Sequence, residues 1–187
     1  MAGETRFGSA RWARLAVALV NTASSRRHED RLTRPEDLAA LLLAHDEPGP
    51  VEVSAGALDD ARAARSALAG VFAACDDQEL LAGRLNELLA RTARPRLAAH
   101  DGAPLHLHID APGASWGQWL AAAGAMALAL LVSEHGPGVL GRCEAPDCAH
   151  VVLRVGPGPA RRYCDTTCAS RTRVAAHRAA RKAAGRP

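Results

Sequence analysis

Apolar side chains recur along the chain with two different periods. From Ser9 to Thr22 the positions Trp12, Leu15, Ala16, Leu19 and Val20 return every three or four residues, the spacing of one helix face. Asn21 to Ser25 ends that helix, and a charged loop continues to Leu32. Thr33-Arg34-Pro35-Glu36 predicts the next start, with Thr33 as cap, Pro35 in the first turn and Glu36 closing a capping box. Leu38, Leu41, Leu42 and His45 share its face, and Glu47-Pro48-Gly49-Pro50 breaks the chain. A third helix is expected from about Ser54 to Ala74, on the stripe Leu58, Ala61, Arg65, Leu68, Val71 and Phe72. A fourth follows Asp76 to Glu79 and carries Leu80, Leu81, Leu85, Leu88 and Leu89.

The period then falls to two. Arg96 to His100, the turn Asp101-Gly102, and Leu105 to Ile109 predict an antiparallel β-hairpin near residues 96–110. In its second arm Leu105, Leu107 and Ile109 alternate with His106 and His108, which places the histidines on the solvent face. His100 lies across the hairpin, so a three-histidine metal site is conceivable, although solvent-facing alternation explains the pattern more simply. A long helix is expected from about Ala114 to Ser133, stopped by Gly136-Pro137-Gly138. Beyond it come a short strand, Val151 to Val155, the turn Gly156 to Pro159, and a last helix from Asp165 to about Ala184. The fold class is therefore mainly α with a small antiparallel β-hairpin, an α+β chain. A helical body covers residues 1–138, and a small cysteine-bearing module covers 139–187 and ends in a basic helix.

At 187 residues and 48% hydrophobic composition the chain can bury one domain core plus an appendage. Its longest apolar run, Trp119 to Val132, falls short of the roughly 20 residues a bilayer span needs. No secretory h-region follows the first charges. The expectation is a cytoplasmic protein with no membrane partner. The net charge of +3 hides an asymmetry: residues 142–187 hold ten Arg or Lys against Glu144, Asp147 and Asp165. Such a tail on a mildly acidic body suits a polyanion.

Four of the five cysteines lie in that tail, as Cys143-x4-Cys148 and Cys164-x3-Cys168. Two close pairs separated by a hairpin-sized insert supply the two edges of a tetrahedron around one structural Zn2+. Disulfides, idle thiols or an iron–sulfur cluster use the same residue type, and spacing alone leaves zinc and iron open. His150 and His177 could each replace a cysteine, but four sulfurs already fill the shell, and both read as solvated. Cys75 stands alone and reads as a small buried apolar residue.

Cys143 to Cys148, the strand after it, and the run Arg161-Arg162-Tyr163-Cys164 to Cys168-Ala169-Ser170-Arg171 together resemble the CGNR zinc finger. Where that family has Cys-Gly-Asn-Arg, this chain keeps the Cys and the Arg and carries Ala169 and Ser170 between them. Upstream, Val20-Asn21-Thr22, the Asp30 to Leu38 segment, Leu85-Asn86-Glu87-Leu88-Leu89 and the hairpin resemble the ABATE domain that precedes this finger. The resemblance covers roughly residues 15–182. It implies a stress-induced transcriptional regulator with the finger as its DNA-binding module.

The last helix has the charge for that role. Arg171, Arg178 and Lys182 share a face with Arg181 close by, and Val174 between them can pack inward. Arg173 lies on another face, and Arg161 and Arg162 flank the third cysteine within reach of phosphates. A solvated basic helix and an acidic protein partner remain the other readings of the same residues. One finger gives a small interface, so specific binding points to a homodimer. In the body, Asn21, Thr22 and Arg27 lie in an unusually polar connection that could line a site for a small-molecule effector; a capping loop explains it more simply. No phosphate loop, nucleophile elbow or open metal position is present in the sequence, and no enzyme is expected. The alternative function is a zinc-stabilised protein-interaction module without direct DNA contact.

Overall fold

A computed structural model of the chain describes residues 9–25, 28–47, 51–99, 104–156, 158–183 and 185. Six α-helices and two small sheets are found among them. The helices are α1 (Ser9–Val20), α2 (Pro35–Leu43), α3 (Ala55–Ala73), α4 (Gln78–Thr92), α5 (Trp116–His135) and α6 (Thr166–Ala183). Strands β1 (Arg96–Ala98) and β2 (His106–His108) pair antiparallel, as do β3 (Leu140–Arg142) and β4 (Val151–Leu153). A 3-10 turn, Pro137–Val139, joins α5 to β3. The mainly α class with a helical body and a C-terminal cysteine module is what the periodicity predicts.

The caps explain most helix starts. Ser54 accepts from the Ala57 N–H at the start of α3, and Asp77 accepts from Glu79 and Leu80 at the start of α4. Ser115 and Gln118 form a reciprocal capping box on α5. The start of α2 differs from the expectation. The N-cap position is Arg34, and Asp37 rather than Glu36 reaches back, accepting from the Thr33 and Arg34 N–H groups and the Thr33 hydroxyl. Those bonds hold the Asp37 carboxyl down at about 2, the Thr33 amide contributing most.

The core is built around α5, which packs against α1, α3 and α4. Gly117 lets α5 approach α3 closely: a Cβ there would fall 2.2 Å from the Ala61 backbone nitrogen. Trp119 lies edge-on to both Trp12 and Trp116, with ring centroids 5.8 and 5.7 Å apart. The helix runs 20 residues, longer than the apolar run suggested, and by length and composition it could cross a membrane. Here its Leu120, Ala123, Ala127, Leu128 and Leu131 are buried against the three neighbouring helices, which makes it the core helix of the body.

Two further expectations are corrected. The turn Asp101-Gly102 and His100 lie outside the described residues, but the register Arg96↔His108, Leu97↔Leu107, Ala98↔His106 shows which face is which. The leucines face solvent, with Leu97 64% and Leu105 63% exposed, and the histidines are half-buried. The strand ends at His108, and the turn of the chain there carries Ile109 alone into the core, where the Arg94 N–H holds its carbonyl at 2.6 Å. The second sheet needed a partner for β4, and the segment leading into Cys143 supplies it as β3.

This second sheet is not a separate layer. Val139, Leu140, Val151 and Leu153 belong to the same buried cluster as Trp12, Leu19 and Leu128. The core therefore runs across the expected junction at 138/139. The cysteines form a smaller cluster of their own with Ala145 and Tyr163.

Candidate metal centre and basic helix

Cys143 follows β3, and Cys148 lies in the same loop before β4, so the first pair sits on the hairpin between the two strands. The ladder extends one step into the loop, the Cys143 N–H donating to the His150 carbonyl at 2.8 Å. The tight turn back uses Asp147 at φ +62, a left-handed conformation that a short polar side chain tolerates, and the Cys148 N–H closes it on the Ala145 carbonyl. Cys164 and Cys168 come from the start of α6. Asp165 caps that helix by accepting from the Cys168 N–H at 2.6 Å.

The four sulfurs lie within 4.8 Å of one another. Cys148 and Cys164 are 3.7 Å apart, and Cys164 and Cys168 are 3.6 Å apart. A tetrahedral ion with Zn–S bonds near 2.3 Å requires sulfur spacings of about 3.8 Å, so the cage has the size for one zinc ion. No cysteine is in a disulfide, and the four can hold that ion. Burial and the crowding of neighbouring thiols push Cys164 well above the usual thiol value and Cys168 up to about 11. Cys143 goes the other way: burial opposes ionisation, but N–H donors from Ala145 and Cys164 outweigh it. A divalent cation would offset the penalty at Cys164 and Cys168 by neutralising the thiolates it binds.

The flanking arginines are built into this module. Arg161 donates to the Tyr163 carbonyl at 3.0 Å and to the Cys164 carbonyl. Arg162 pairs with Glu144 at 2.6 Å and lies over the Tyr163 ring. Arg171, the arginine of the last cysteine run, reaches the Cys168 sulfur at 3.5 Å, where it would favour the thiolate that a metal requires. These three members of the expected DNA-contacting set therefore also hold the knuckle together. Arg173, Arg178, Arg181 and Lys182 lie further along α6, all exposed. Val174 does not pack inward: it is 48% exposed. From Arg173 to Ala183 the helix buries nothing.

The polar connection of the body takes on a bracing role. The Asn21 side chain donates to the Val151 carbonyl at 3.0 Å and accepts from the Val151 N–H at 2.7 Å, pairing with β4 as another strand would. Thr22 is buried, donating to the Leu19 carbonyl and accepting from Arg65. Arg65 also grips Asp30 with both nitrogens. Arg27 lies outside the described residues. His150 is not solvated but 8% exposed, its ring stacked on His28 with centroids 4.4 Å apart. His28, Cys148 and His150 form a second close group of metal-ligating side chains, though it shares Cys148 with the four-sulfur cage. Sequence reasoning missed Glu144, the Asp30–Arg65 pair and the histidine stack. Only Glu144 had a signal, as one of the few acids in a basic segment.

A two-cysteine knuckle between paired strands, completed by two cysteines at a helix start, defines a four-cysteine zinc-finger module carried on a helical body. The CGNR zinc finger model matches residues 140–181. The ABATE model, described as "Putative stress-induced transcription regulator", matches residues 13–135, and the chain belongs to that family. Comparison with curated proteins gives no match.

Proposed function

We propose that this chain is a cytoplasmic, non-enzymatic transcription regulator that binds DNA through α6, with the helical body sensing an effector. The observation that carries the reading is the exposed end of α6 beside the cysteine cage. The helix holds five Arg or Lys and no acid, and its residues 173–183 are all exposed. An exposed helical stretch of this length gains little from packing, and a polyanion that lies along it would stabilise it. The exposed surface is charged and alanine-rich, with Val174 its one large apolar side chain, which suits phosphates better than the apolar centre of a protein interface. Four sulfurs close the coordination of zinc and leave no open position for catalysis.

Fluorescence anisotropy on duplex DNA at several salt concentrations tests the reading. Arg173→Ala with Arg178→Ala should weaken binding and lower the salt slope by about 1.8, two phosphate contacts at roughly 0.9 each. Both residues lie clear of the cage, so zinc content serves as the control for folding. An unchanged affinity and slope would remove α6 as the DNA-binding element. Analytical ultracentrifugation with DNA present should show two copies per site.

A further inference from the structure

A cavity of about 850 Å3 lies between the body and the finger, walled by α1, the loop after it, α2, β4 and the start of the second cysteine pair. That volume is typical of small-molecule sites. We propose that it binds a small amphipathic organic anion, a carboxylate- or sulfonate-bearing molecule with an apolar body. The inference deepens the sensing half of the function proposed above, and it is tested without DNA so that either can fail alone.

Charge decides the sign of the ligand. Arg14, Arg31 and Arg161 line the cavity, one each from α1, the connecting loop and the finger. Two ionised acids also line it, Asp37 and Asp165, which leaves three cations against two anions; amides of Thr33, Arg34 and Cys168 already bond to the carboxylates. The arginines keep donors in reserve. Arg31 donates to the Asn21 carbonyl, and Arg161 to two carbonyls, out of five N–H groups on each guanidinium.

Two buried atoms point to a ligand independently of charge. The Nε2 atoms of His28 and His150 are both buried without a hydrogen-bond partner among the described residues, and both residues line this cavity. A buried polar atom left unpaired is costly, so a ligand that turns either ring toward the cavity gains by pairing it. Val17, Leu41 and Val155 add apolar surface to a wall that also carries Asn21, Thr22 and His45. Cationic groups together with apolar surface select an anion with a hydrophobic body over inorganic phosphate.

The location supplies the consequence. A ligand held by Arg14 and Arg161 at once bridges the body to the segment that carries Cys164. Arg161 already fixes the Tyr163 and Cys164 carbonyls, so a ligand there bears directly on the placement of α6.

The probe is 8-anilino-1-naphthalenesulfonate titrated into the zinc-loaded full chain, with uncharged N-phenyl-1-naphthylamine as the comparison. Saturable one-to-one binding is expected, with the neutral analogue at least tenfold weaker. Arg14→Gln and Arg31→Gln should each weaken the sulfonate about tenfold, the worth of one charge-assisted hydrogen bond. Ala18→Trp, which fills the cavity and removes no charge, should abolish binding. The Arg173→Ala, Arg178→Ala variant should bind the probe normally, which separates this site from the basic helix. Zinc content and helical circular dichroism confirm that each variant folds. Absent saturation, equal binding of the neutral analogue, unchanged affinity in the cavity variants, or loss in the α6 variant would each overturn the proposal.

Discussion

Arg65 rises from α3 and takes the Asp30 carboxylate in both hands, at 2.7 and 2.8 Å, while Thr22 accepts from the same guanidinium at 3.1 Å. The loop between α1 and α2 is thereby pinned to the core. The Asp30 carboxyl sits below its ordinary value, chiefly through the Arg65 hydrogen bond, with burial opposing and the Leu32 amide helping. A carboxyl lowered in the fold contributes stability that is fully present above the unfolded value of about 3.9 and is lost as pH falls through the folded value. Asp30→Asn should therefore cost about 1–2 kcal/mol at neutral pH, the lower part of the charged-hydrogen-bond range because Asp30 is partly solvated. Urea unfolding at pH 7 and below pH 4 checks this, and the gap between variant and parent should narrow at the lower pH. A gap that stays constant would mean the carboxylate is not the group that matters.

Among the elements, α5 shows how an alanine- and glycine-rich helix earns a central position. Small side chains let three helices close around it, and Gly117 marks the tightest approach, against the Asp60–Ala61 backbone of α3. Ser115 strengthens the same junction by donating to Asp60 at 2.6 Å. Gly117→Ala should destabilise by roughly 2–3 kcal/mol, because backbone atoms cannot yield as a flexible side chain would. Gly83→Ala is the matched comparison: it lies on the exposed side of α4 with nothing within 4 Å of the added carbon. That change should stabilise by up to about 1 kcal/mol through helix propensity alone. Thermal melts of the two variants should move in opposite directions, and a Gly117→Ala protein as stable as its parent would contradict the close approach. At the other extreme α6 buries only Cys168, so its order depends on the cage at its start.

At the scale of the whole molecule, the finger and the body share structure. The hairpin that carries Cys143 and Cys148 contributes Leu140, Val151 and Leu153 to the main core, and Asn21 pairs with β4. Removal of zinc should consequently weaken the body as well as the finger. All three tryptophans, Trp12, Trp116 and Trp119, lie in the body and report on it alone. Chelation should release four reactive thiols and lower the midpoint of the tryptophan-detected melt by several degrees, a shift of about 1–2 kcal/mol in a domain of this size. A midpoint indifferent to chelation would mean that the two parts fold independently.

The sequence by itself determined the helices and the donor set of the cage. Helical periodicity is a local property, written into positions such as Leu58, Leu68 and Phe72, and capping residues such as Ser54 and Asp77 mark the ends. The cysteine spacing was legible because four soft ligands at short intervals have few other uses in a chain of this kind. Tertiary structure decided what depends on partners distant in the chain. The alternation of Leu105, His106, Leu107 and His108 defines two faces but not which of them meets the core. Asn21 reads as a polar loop residue until β4, 130 residues later, is laid beside it. Arg161, Arg162 and Arg171 carry the charge of a nucleic-acid surface, yet only the fold shows that carbonyls, Glu144 and a cysteine sulfur already engage them. The cavity between body and finger belongs to neither segment alone, because its cations come from three elements that only folding brings together.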